Sequence, residues 1–160
     1  MTEATISTPR AQSVLSTGAD LPHPTPTDRV ALSYEDRCRR RLRMTTQAGL
    51  SFLLDLPKVT ELHEGDLLCL DTGAHIEVCA APEALMEVWP DAPDKLARIA
   101  WHVGNRHLPA QILSDHLVLR YDHVIEHMLI GLGCSVQLRS GPFTPEGGAY
   151  GQGRTHGHSH

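Results

Sequence analysis

The chain has 160 residues, 41% of them hydrophobic but only 4% aromatic, so it can bury an aliphatic core in one domain or two small ones. Its formal net charge of -5 argues against a dedicated nucleic-acid binder and against an anionic membrane surface as the main partner. The unusual count is 11 His, and because neutral imidazole is the commonest metal ligand, this surplus points first to metal or protons.

Residues 1–28 are rich in Thr, Ser and Pro and end in LPHPTPTD. Such a tract buries little apolar surface, so a disordered N-terminal extension is expected. It has no apolar signal core, and no later run approaches a membrane span, which points to a cytoplasmic location. The four cysteines, Cys38, Cys69, Cys79 and Cys134, form no CxxC pair. Cys69 and Cys79 lie in apolar strand-like runs and read as small buried hydrophobes.

From Arg29 the pattern is that of strands: VALSY, RCRRRLRM, LSFLLDL, DLLCLD and HIEVCA, separated by turn signals at residues 47–49, 64–66 and 71–73. This predicts a small all-β domain over residues 29–79. In the arginine stretch, Arg37, Arg39, Arg41 and Arg43 fall on one strand face and Cys38, Leu42 and Met44 on the other. That face is either the solvated, charge-protected side of an edge strand or a docking surface for an acidic partner.

Residues 80–150 change character. DKLARIAWH, Asp94 to His102, has helical spacing, with Gly104 and Asn105 as its C-cap. Short strands follow at 110–113 and 117–120, and Asp122 caps a second helix, HVIEHMLIGL, that stops at Gly133. A last strand covers 135–138. With IEVCA as the first strand the order is β-α-β-β-α-β, the ferredoxin-like arrangement, so the fold class expected is α+β. Residues 151–160 are expected to form a Gly-rich flexible tail carrying His156, His158 and His160.

Three features carry candidate chemistry. The first is WHVGNRHLP, with His102 and His107 at a helix end, where a histidine can serve only to complement the helix dipole. The second is the tail, whose alternating histidines have no core to join and can fill open positions on an exposed metal. The third is HVIEH, residues 123–127, where His123 and His127 share a helix face. The string matches H-x-x-E-H, so a small zinc-dependent hydrolase with Glu126 as general base is an alternative. It lacks an evident third ligand, and His127 by itself reads as a half-exposed helix residue. His63, His75 and His116 flank turns and are expected at the surface. No nucleophile elbow, P-loop or dinucleotide fingerprint is present.

GNRHLP, RYDHVIEHML and FTPEGGAY, in this order, resemble the UreE family of urease accessory proteins, which are nickel metallochaperones. The likeness runs from about Arg29 to Tyr150 and includes the arginine strand and the Gly65-Asp66 turn. It implies a β domain for peptide or protein contacts, then a ferredoxin-like domain that dimerises and binds metal. It further implies that His107 from each chain of a homodimer meets Ni(II), with His156, His158 and His160 adding ligands. His123 is then a secondary candidate and His102 a further one. Some relatives carry His where this chain has Tyr121, so the resemblance does not carry over a two-histidine peripheral site. By the same resemblance the partners are the accessory GTPase UreG and the urease assembly complex, with no catalysis by the chain itself. Zn(II) or Cu(II) can compete for imidazole sites.

Overall fold

The computed structural model describes residues 7–17 and 22–147. The chain divides into two compact units, at residues 1–80 and 81–160.

The first unit is a six-stranded sheet of β1 (Arg10–Leu15), β2 (Asp28–Leu32), β3 (Cys38–Thr45), β4 (Ser51–Glu61), β5 (Leu67–Leu70) and β6 (His75–Ala80), in the order β2-β6-β5-β1-β4-β3. The sheet curls, because the Gln47 amide, just past β3, donates to the Arg29 carbonyl of β2, although these strands lie at opposite ends of the order. Alternating side chains of the strands meet inside, with Phe52, Leu54, Leu68, Ile76 and Val78 fully buried. One carboxylate ties the turn at 63–66 to the end of β1. Asp66, 2% exposed, accepts from the His63 amide at 2.8 Å and the Thr17 amide at 3.3 Å. Gly65 has φ +90°, and a Cβ there would sit 3.0 Å from Thr17 Cγ2. Replacing Asp66 with Ala strands two amides, so a loss of about 2–3 kcal/mol is expected in urea unfolding followed by far-UV circular dichroism.

Three expectations are corrected in or beside this unit. The extension expected to be disordered contains β1, which is inserted between β4 and β5. Ala11 is 0% exposed and ladder bonds are available on both sides, so tertiary pairing overrides a polar composition. Arg37 does not share the exposed face of Arg39, Arg41 and Arg43. It precedes β3, is buried, and has its guanidinium over the Tyr34 ring. Cys69 and Cys79 are only half-buried, while Cys38 and Cys134 are the buried pair of the four free thiols.

The second unit holds β7 (Glu83–Trp89), a short 3-10 turn at Pro93–Lys95, α1 (Leu96–Asn105), β8 (Gln111–Ile112), β9 (Leu117–Arg120), α2 (His123–Gly131) and β10 (Ser135–Gly141). The sheet order β10-β7-β9-β8 is wholly antiparallel and is that of a ferredoxin-like fold. The opening strand is EALMEVW rather than IEVCA, which instead completes the first sheet as β6. Leu85, Met86 and Val88 are all fully buried, so β7 is covered on both faces and shows no clean alternation in sequence.

The helices cover one face, packing Ile99, Val103 and Leu129 against Met86, Val88, Leu117 and Leu119. Leu85 and Val118 point to the other face and are still 0% exposed. Their cover is the segment after β10. Phe143 in it is fully buried, and the Glu146 amide donates to the Ala110 carbonyl at 2.8 Å. Five residues reach about 17 Å, enough to cross the roughly 14 Å from β10 at one edge to β8 at the other. On this face Trp89 also stacks on His116 at 4.0 Å, so His116 is more covered than its turn position implies.

Candidate metal centre

The two helices of the second unit end in the same way but with different residues. After α2 the amide of Gly133 bonds the carbonyl of Ile130, and that of Cys134 bonds Leu129. This is a Schellman motif, with Gly133 at φ +90° in the left-handed position that glycine favours. After α1 the amide of His107 bonds Gly104 and that of Leu108 bonds Val103, at 2.9 and 3.4 Å. The equivalent left-handed position is therefore His107, at φ +55°, the one non-glycine residue with positive φ among the described residues. Helix α1 thus runs through Gly104 and Asn105, the expected cap, and closes on Arg106.

Histidine tolerates this region better than most residues, but a left-handed side chain still costs about 1–2 kcal/mol. A dipole-complementing histidine needs no such conformation. The geometry carries the exposed imidazole clear of the helix end while Leu108 packs back into the core and Pro109 prevents further helix.

His102 lies within α1, half-buried and edge-on to Trp101 at 5.1 Å. Trp101 itself is 62% exposed. His123 opens α2 and is exposed. The expected cap is present, with Asp122 accepting from the Val124 and Ile125 amides at 2.8 and 3.1 Å. A cavity of about 370 Å³ lies between the two segments, lined by Leu108 and Pro109 beside His107 and by Tyr121 and Asp122 beside His123. The fold therefore brings the end of GNRHLP and the start of YDHV, separate in sequence, to one concavity, which His107 and His123 flank in sequence but do not line.

His127 is exposed on α2. The negative charge of nearby Glu126, with partial desolvation, holds the Tyr121 phenol above its ordinary pKa. No cluster of three His, Cys, Asp or Glu side chains able to hold a metal ion occurs among the described residues. The expected tail at 151–160, with His156, His158 and His160, lies outside the described residues. No pattern in the chain signals that the FTPE segment crosses the sheet. Its pairing of Glu146 with Ala110 brings the end of the described chain within three residues of His107.

A family model described as UreE urease accessory protein, N-terminal domain, matches residues 11–81, and one for the C-terminal domain matches residues 83–160. The chain is 52% identical over 133 residues to the urease accessory protein UreE of Ruegeria pomeroyi, covering 83% of this chain and 87% of that protein. It is 51% identical over 133 residues to the UreE of Rhodobacter capsulatus, covering 83% of each chain. Against the UreE of a Rhodopseudomonas palustris strain the identity is 54% over 123 residues, covering 77% of this chain and 57% of that longer protein.

Proposed function

The chain belongs to the UreE urease accessory protein family, and from that premise we propose that it binds Ni(II) and delivers it for assembly of the urease active site, with no catalysis of its own. The observation that carries the assignment of His107 is its exposed, left-handed placement just past α1. Strain of this kind is retained where a side chain must be presented.

One chain offers too few donors at His107. In a homodimer, two copies of His107 on the symmetry axis supply two imidazoles and leave the remaining coordination positions open. Exposed Trp101 on the same helix gives a second copy an apolar contact. His156, His158 and His160 complete the shell in turn, since among the described residues Glu146 is the last with a backbone bond to this unit, at Ala110 just before β8, and ten residues can reach at most about 33 Å. His123 and His102 are secondary ligands. Ligands on a Gly-rich segment leave readily when a partner offers better ones, which suits transfer to UreG and the urease assembly complex in the cytoplasm. Nickel rests on the family, because imidazole sites also take Zn(II) and Cu(II), and Cu(II) more strongly. Each imidazole must be deprotonated to bind, so acid promotes release.

Metal titration with mass determination tests this on three proteins: the parent, His107→Ala, and a chain ending at Tyr150. The parent is expected to take about one tightly held Ni(II) per dimer. His107→Ala loses that site, and the shortened chain keeps the dimer but holds the metal more weakly. Parent-like nickel affinity in His107→Ala would sink the assignment.

A further inference from the structure

Five of the chain's 14 basic residues, Arg37, Arg39, Arg40, Arg41 and Arg43, fall within seven positions of a protein whose net charge is -5. With Arg37 buried, the other four are exposed on β3, which ends the sheet order and has a ladder partner on one side. Their surroundings differ. Arg39 faces Glu35 and Asp36 at 3.6 and 3.8 Å. Arg41 lies opposite Asp55 on β4, and Arg43 opposite Leu53. Arg10 of β1 is also opposite Leu53, from the other side. Three arginines, Arg10, Arg41 and Arg43, therefore share one patch of the outer face with Asp55 between them, and Asp71 at its edge accepts from the Arg10 amide at 3.1 Å. Asp55 reaches Arg10 at 3.3 Å and Arg41 only at 3.9 Å, and Arg43 has no ion pair among the described residues. The patch sets three guanidiniums against two carboxylates and keeps a positive excess at its Arg41–Arg43 end, against the sign of the whole chain.

We propose that this outer face of β3 docks an extended acidic segment of a partner protein. Arg41 and Arg43 are two residues apart on a strand, about 6.6 Å. An extended peptide repeats its own side chains at the same interval, so carboxylates at alternate positions meet both guanidiniums with forked hydrogen bonds. Arg10, two strands over, takes a third acidic group. A long polyanion such as a nucleic acid is disfavoured because the acidic remainder of the chain repels what extends beyond the patch.

The probe is a fluorescein-labelled octapeptide alternating Glu and Ser, read by anisotropy at low salt against the full chain. The expected result is saturable binding that falls about tenfold or more in R41E/R43E. In R41K/R43K it stays closer to the parent, and far-UV circular dichroism checks that both variants fold. Charge-reversed protein that binds like the parent would overturn the proposal. So would no binding to the parent, or tighter binding of a single-stranded oligonucleotide of equal charge than of the peptide. R41Q/R43Q replaces the charge-reversed variant if that one does not fold, and it too is expected to bind more weakly than the parent.

Discussion

His107→Gly is expected to lose tight nickel binding altogether while making the protein more stable. The two effects have opposite signs because they arise from different parts of the residue. At φ +55° the histidine Cβ bears the left-handed penalty of about 1–2 kcal/mol. Glycine removes that penalty but orders a freer backbone, at about 0.5–1 kcal/mol. The net gain is roughly 0.5–1 kcal/mol, a rise of about 2–4 °C in melting temperature. The Schellman bonds from residues 107 and 108 are backbone bonds and survive the change. Only the imidazole is lost. His107→Ala differs, since alanine keeps the Cβ and hence the strain. Calorimetry and nickel titration on the two variants therefore separate shape from ligation. Both should lose the metal, and only the glycine variant should melt above the parent. If the glycine variant melted below the parent, the histidine would be stabilising the helix end, and complementing the helix dipole would be its role after all.

The same residue shows what can be read in the sequence. Gly104 and Asn105 are the natural capping signal after an amphipathic run, and they invite a helix that ends before His107. The helix instead continues to Asn105, because Val103 is buried and Leu108 must return to the core beside it. That is a packing constraint with no local signature. The cap at Asp122 and the Gly133 stop are legible because each is set by local backbone chemistry. β1 is not, since its apolar content is little more than Ala11, Val14 and Leu15, and it exists because β4 and β5 both offer it partners. The opening strand of the second unit is hidden for a related reason, and periodicity points to its neighbour instead. A strand buried on both faces loses the period of two by which strands are found. Of the candidate ligands, His107 and His123 can be named from the chain, but the cavity that their neighbours Leu108, Pro109, Tyr121 and Asp122 line depends on β7, β9 and α2 meeting, and no spacing rule predicts it.

Phe143→Ala is expected to destabilise the second unit severely, and to harm the metal site without touching a ligand. Phe143 is 0% exposed, and the face it helps close carries Leu85 and Val118, also at 0%. Truncating a buried phenylalanine costs about 3–5 kcal/mol, which in a unit of this size lowers the melting temperature by roughly 15–25 °C. The sequence holds two tryptophans, Trp89 and Trp101, both in the second unit, so tryptophan fluorescence during urea unfolding reports on that unit alone. Far-UV circular dichroism should then show the first unit unfolding at its parental midpoint. Loosening Phe143 also frees the strand end that pairs Glu146 with Ala110, three residues from His107. Nickel affinity should therefore fall even under conditions where the variant is still folded. A chain ending at Tyr150 is the control, because it keeps Phe143 and Glu146. It should match the parent in unfolding and differ only in metal affinity. If Phe143→Ala unfolded at the parental urea concentration, the segment after β10 would not be the cover of that face, and the proposed approach of the tail histidines to His107 would lose its support.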